Sequence, residues 1–158
     1  MICQDAHVHS VQFSPDGQTL ASAVGKLISL WNVKTGKILK ELIGHSGVVK
    51  CVNFSPDGRY IVSCSWDKTI RIWSIKLGIP LKILKGHSAE VNEVKYFPDG
   101  QTIVSCADDN TVRLWNVVTA KEVDILKGHS KLVMGMDISS GGKTIASCSA
   151  DKTIRIWK

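Results

Sequence analysis

The chain has 158 residues, 44% of them apolar and 22% charged, with a formal net charge of +6. That balance excludes a disordered tail, a collagen-like fibre and a disulfide-stapled mini-protein, and the length suffices for a core. The charge admits an anionic partner without requiring one. Phe and Tyr are scarce, three and two residues, yet there are five Trp. No apolar run approaches the roughly 20 residues of a membrane-spanning helix. Met1 to His7 lacks the basic and apolar regions of a secretory leader. Five cysteines is an odd number, which favours a reducing compartment. An intracellular protein, cytoplasmic or nuclear, is therefore expected.

A period runs through the chain. Trp31, Trp73, Trp115 and Trp157 stand 42 residues apart. Gly44-His45, Gly86-His87 and Gly128-His129 keep the same step, as do Asp67, Asp109 and Asp151. Arg71, Arg113 and Arg155 follow it, and so do Cys64, Cys106 and Cys148. Six residue types at one spacing mean four copies of one unit, the first degraded. The copies run over approximately 1–43, 44–85, 86–127 and 128–158, as one repeat region spanning 1–158.

Each copy reads as strands and turns. In the second, Val49 to Ser55 alternates apolar and polar residues. Ser55-Pro56-Asp57-Gly58 is a turn, in which Pro presets φ and Gly accepts positive φ. Tyr60 to Ser65 is a second strand, rich in β-formers. Trp66-Asp67-Lys68 is a tight reversal, and Thr69 to Trp73 alternates strictly as a third strand. After a turn at Gly78, Leu81 to Leu84 gives a shorter fourth strand. The fourth copy stops at Trp157-Lys158, before its outer strand. Helical periodicity is absent. The fold class expected is all-β, with antiparallel four-stranded blades of a propeller.

The Gly-His pair, the Ser-Pro-Asp-Gly turn and Asp67-Lys68-Thr69-Ile70-Arg71-Ile72-Trp73 together resemble the WD40 repeat, over nearly the whole chain. No copy ends in Trp-Asp: the pairs are Trp31-Asn32, Trp73-Ser74, Trp115-Asn116 and Trp157-Lys158. The resemblance implies a hydrogen-bonded tetrad in each well-formed blade. These would be His45, Ser63, Asp67 and Trp73; His87, Ser105, Asp109 and Trp115; and His129, Ser147, Asp151 and Trp157. A buried indole has one donor and no acceptor, so it needs such a partner. Three equally spaced Ser/His/Asp trios, each with a Trp, read as structural rather than as a hydrolase triad, which is recognised by geometry and roles. In the first copy Gln4 falls where His is expected, and no Asp occupies the turn near Val24-Gly25-Lys26. Cys64, Cys106 and Cys148 alternate with the tetrad serines and should be buried between blades.

Partners of this family most often dock on the face bearing the second-to-third-strand turns and the entry to the first strand. Carried over, that face comprises Trp66, Asp108 and Ala150 in the turns. At the strand entries it comprises His7 and His9, Val48 and Lys50, Glu90 and Asn92, and Leu132 and Met134, with Val24 nearby. Trp66 lies outside the 42-residue Trp series and reads as a binding anchor. Lys34, Lys37, Lys40, Lys76, Lys82, Lys85, Lys121 and Lys127 fall on the outer rim, where lysines keep an exposed edge soluble. Aromatic interleaving for base stacking is missing, so nucleic acid is not an expected partner, nor is a membrane.

The function these features imply is a non-catalytic scaffold or adaptor for protein–protein interactions in a multiprotein complex. No catalytic residue, cofactor site or metal site is expected. The competing readings are a regulatory propeller portion of a larger enzyme or signalling protein, and a self-assembling structural propeller. Most members of the family have about seven blades, so 158 residues read as half a propeller. Either the chain is part of a longer protein, or two copies form a homodimer that closes an eight-bladed ring.

Overall fold

A computed structural model of the chain describes residues 7–158. Fifteen strands and no helix occur among the described residues. The strands fall into four antiparallel sheets, each a meander. The first sheet holds β1 (Val8–Phe13), β2 (Thr19–Val24), β3 (Leu27–Asn32) and β4 (Ile38–Ile43). The second holds β5 (Val49–Phe54), β6 (Tyr60–Ser65), β7 (Thr69–Ser74) and β8 (Ile79–Lys85). The third holds β9 (Val91–Tyr96), β10 (Thr102–Ala107), β11 (Thr111–Asn116) and β12 (Glu122–Lys127). The fourth has three strands: β13 (Val133–Ile138), β14 (Ile145–Ser149) and β15 (Ile154–Trp157). The outer strand β8 is longer than Leu81 to Leu84, because Ile79 and Pro80 still pair with Ser74 and Trp73.

The core lies between sheets rather than inside any one of them. Ala21, Ala23, Ile28 and Leu30 of the first blade pack against Val52, Phe54, Ile61 and Trp73 of the second. Val62, Cys64, Ile70 and Ile72 of the second pack against Val94, Tyr96, Ile103 and Trp115 of the third. Val104, Cys106 and Val112 then meet Val133, Met136 and Ile145 of the fourth. Both faces of the middle blades are therefore apolar, which explains strands that are nearly all buried, such as β6 and β10. The expected burial of the periodic cysteines needs one correction. Cys64 and Cys106 are buried, but Cys148 is exposed. It lies on the far face of the fourth blade, which no further sheet covers among the described residues.

Polar contacts tie neighbouring blades at top and rim. Asn53 Oδ1 accepts the Tyr96 amide at 3.1 Å, and Glu93 Oε2 accepts the Met136 amide at 2.7 Å. Two of the rim lysines are not merely solvated. Lys40 Nζ donates to the carbonyls of Ile75 and Lys76 at 2.9 and 2.8 Å. Lys82 Nζ donates to Val117 O at 2.8 Å and also to Val118 O. Each thus caps a turn of the next blade. Gly58, Gly100 and Gly142 close their turns with positive φ and rest on Pro15, Pro56 and Pro98 of the preceding blade.

The glycine before each histidine has a packing reason. A Cβ on Gly86 would stand 2.9 Å from Trp115 Cη2 and 3.0 Å from Arg113 Nη1. Trp115 is fully packed and cannot move aside. Gly141, by contrast, has open space around it. Gly86→Ala should therefore lower stability by about 1–3 kcal/mol, whereas Gly141→Ala should stay within about 0.5 kcal/mol. Urea titration of both variants checks this; equal midpoints would overturn it.

Candidate functional site

Four side chains converge at the same depth in blades two, three and four. In the second blade, Trp73 on β7 donates its indole N–H to Ser63 Oγ on β6 at 2.8 Å. Ser63 Oγ lies 2.8 Å from His45 Nε2, and His45 Nδ1 lies 2.7 Å from Asp67 Oδ2. The third blade repeats this with Trp115, Ser105, His87 and Asp109 at 2.8 Å throughout. The fourth repeats it with Trp157, Ser147, His129 and Asp151 at 2.8–2.9 Å.

The donors and acceptors allow a continuous relay from indole to carboxylate. The indole can only donate, so Ser Oγ accepts from it and passes its own proton to His Nε2. His must then carry its proton on Nδ1 and donate it to the carboxylate. The histidines are buried, and each is held through Nδ1 by its aspartate. Two further partners were not singled out from the sequence. Thr69, Thr111 and Thr153 each donate a hydroxyl to the second carboxylate oxygen at 2.6 Å. The amides of Ser46, Ser88 and Ser130 donate to the first at 3.0–3.1 Å. The signal was available, since these threonines keep the 42-residue step.

The electrostatics follow from these contacts. Burial works against ionisation of Asp67, but hydrogen bonds from Thr69 and His45 outweigh it and hold the carboxyl at about 2. Burial likewise opposes ionisation of Asp109, and His87 and Thr111 overcome it, leaving the group below the ordinary carboxylate range. Asp151 is held low chiefly by Thr153. Burial lowers the pKa of His45, with Asp67 pulling the other way.

The first blade lacks this arrangement among its described residues. Trp31 still donates to Ser22 Oγ at 2.8 Å, but Ser22 turns toward the Ser29 carbonyl at 3.5 Å instead of a histidine. Gly25 and Lys26 form a two-residue reversal between the paired Val24 and Leu27, with no room for the Asp-bearing turn. Gln4 lies outside the described residues.

A second group of residues lines one rim of the sheets. Each first strand carries a β-bulge, and the unpaired residue is His9, Lys50, Asn92 or Met134. A bulge frees one side chain from the ladder and re-aims it. Beside each bulge the reversal before the third strand is pinned to the strand entry. The Trp66 amide donates to Val48 O, that of Asp108 to Glu90 O and that of Ala150 to Leu132 O, at 2.9–3.1 Å; the Gly25 amide donates to His7 O at 3.3 Å. So His7, His9, Val48, Lys50, Trp66, Glu90, Asn92, Asp108, Leu132, Met134 and Ala150 lie along one rim, whereas Val24 is buried. Trp66 is 42% exposed. Lys50 Nζ sits 5.3 Å from its ring centroid, and the His9 ring 6.2 Å from it. Partial burial and the nearby Lys50 and His7 lower the pKa of His9. Asn92 is already engaged, donating to Asp108 Oδ1 at 2.7 Å and Val133 O at 2.9 Å. The rim is thus basic and aromatic over blades one and two, acidic over the third and apolar over the fourth.

The tetrads make stability depend on acidity with a definite sign. Unfolded His45 takes up a proton from about pH 6.5 downward, and the folded form resists it. Unfolded Asp67 is protonated near 3.8, the folded carboxyl only near 2. Both differences remove stability as pH falls. The Tm should therefore be highest near neutrality and decline on acidification, first below about pH 6.5 and again below about pH 4; a flat Tm from pH 7 to 3 would overturn this. Asp109→Ala strands donors on His87, Ser88 and Thr111. It should cost about 1–3 kcal/mol in thermal or urea unfolding.

Comparison with known proteins agrees with this geometry. The family described as "WD domain, G-beta repeat" matches residues 2–32, 36–74, 78–116 and 120–158. From the second onward, each matched segment takes the outer strand of one sheet and the three inner strands of the next. Periodic tryptophan protein 2 of Saccharomyces cerevisiae is 48% identical over 42 residues, 27% of this chain and 5% of that protein. The human WD repeat and SOCS box-containing protein 1 is 41% identical over 69 residues, 42% of this chain and 16% of that protein. The human intraflagellar transport protein 122 homolog is 34% identical over 62 residues, 39% of this chain and 5% of that protein. The chain thus aligns with only a small part of the length of these relatives. With four matched repeats, sheets that stack as blades and a Trp-Ser-His-Asp relay in three of them, the chain belongs to the WD40 repeat family.

Proposed function

We propose that the chain is a non-catalytic scaffold that binds other proteins or peptides, among them a second copy of itself, through surfaces built on its blades. The docking face for other proteins is the rim of bulges and reversals from His7 to Ala150. The observation that carries this reading is the recurrence of the bulge. Four successive blades release one side chain each at the same place, and the four released residues differ: His9, Lys50, Asn92 and Met134. The ladder around them is constant in its register, so the framework is fixed while the presented chemistry changes.

Trp66 is the anchor of that face. Its backbone is fixed by Val48, its indole is half open, and Lys50 and His9 flank the ring. A large rigid side chain with a lysine ammonium beside it suits an apolar or acidic segment of a partner. The Ser, His and Asp side chains are occupied inside the blades and do not reach this rim, which is why they are assigned to the framework. The free thiols at Cys51, Cys64, Cys106 and Cys148 fit a reducing, intracellular setting. The small share of each relative that aligns also supports a second reading, a propeller portion within a larger protein.

Quantitative pull-down with wild type, Trp66→Ala and the rim variant Lys127→Ala tests the face. Partner recovery should fall about tenfold or more for Trp66→Ala and stay unchanged for Lys127→Ala. Equal recovery by all three would move the docking site elsewhere.

A further inference from the structure

Every blade has a leading face, which meets the blade before it, and a trailing face, which meets the blade after it. Val52 and Phe54 lead the second blade, and Ile70 and Ile72 trail it; all four are buried. The equivalent leading residues of the first blade are Val11 and Phe13, exposed to 59% and 58%. The equivalent trailing residues of the fourth blade are Ile154 and Ile156, exposed to 74% and 58%. Two apolar surfaces, each one half of an interface that already forms three times within the chain, thus stand open at opposite ends of the stack.

We propose that two copies of this chain join head to tail, the leading face of each first blade on the trailing face of the other's fourth blade, closing one ring of eight blades. The two surfaces are of the two kinds that already pair with each other inside the chain. An aromatic and valine ridge meets a pair of branched aliphatic residues inside the chain, as Phe54 and Val52 meet Ile28 and Leu30. Such a contact is heterologous, and a heterologous contact must either close on itself or polymerise. Closure with two copies gives eight blades, within the four to eight that propellers use. The second joint is the symmetry copy of the first, so one pair of surfaces serves both ends.

The new joint differs from the internal ones in one respect. Asn53 and Glu93 bridge to the next blade's backbone amides, and Ser10 Oγ approaches the Val52 amide at 3.4 Å. The residue of the fourth blade at the register of Ser10 and Glu93 is Gly135, which has no side chain to bridge with. Asp137, at the register of Asn53, keeps a carboxylate for one such bridge, so the joint rests mainly on apolar packing and the pairing should depend on concentration.

Light scattering on the 158-residue chain at tens of micromolar is the decisive measurement. The expected mass is twice the 17.3 kDa of one chain. A mass of one chain, as when blades of another protein are the true cover, overturns the proposal, and so does an open-ended series of masses. Phe13→Glu and Ile154→Glu should each give single chains, with circular dichroism confirming intact sheets; Val11→Lys replaces Phe13→Glu if that variant does not fold. Mixing the two variants should restore a pair, because the intact leading face of one meets the intact trailing face of the other. No pairing in the mixture overturns the head-to-tail arrangement. Cys148, on the same trailing face, should react with a maleimide at least tenfold faster in Ile154→Glu than in wild type; equal rates overturn the proposal.

Discussion

A sheet with apolar side chains on both faces has no interior of its own. It becomes stable only when something covers each face, and here the cover is another sheet of the same kind. That requirement organises the molecule. It explains why β6 and β10 are apolar along nearly their whole length, where a half-solvated strand would alternate. It explains why a small residue alternates with the tetrad serines, since Cys64 and Cys106 must fit against the next blade. It also explains why the same residue type can be sealed in one blade and open in another, as Cys106 and Cys148 are.

Stacking alone would leave the sheets free to slide. The Trp-Ser-His-Asp relay fixes each one internally, because it joins β6 and β7 to the segment that enters from the preceding outer strand. It starts at the indole, which can only donate a hydrogen bond. The relay is therefore a framework element with the composition of a hydrolytic triad and none of its exposure. The serine is sealed, the histidine is buried, and each carboxylate is held by at least four donors.

Much of this was legible in the sequence for a physical reason. A network repeated at fixed depth demands the same residues at a fixed step, so His45, Ser63, Asp67 and Trp73 announce themselves three times. What escaped notice was of three kinds. Thr69 was in plain view inside a recognised motif, but its role depends on a carboxylate oxygen whose orientation only coordinates show. The bulges at His9, Lys50, Asn92 and Met134 leave no common residue type, because what recurs there is backbone geometry. Lys40 and Lys82 read as solubilising rim charges, yet each reaches carbonyls of the following blade. A long flexible side chain can do either, and sequence alone does not say which.

The repeat in the sequence and the sheet in space are out of phase by one strand. A matched segment such as 78–116 contributes its first strand to one blade and its remaining three to the next. The matched sequence repeat is thus not the unit that folds as one sheet. Each added copy finishes the sheet already present and begins another that is short by one strand, so such an array grows like overlapping roof tiles. Every seam within the chain is crossed by continuous polypeptide, so adjacent blades stay tethered even where their faces part.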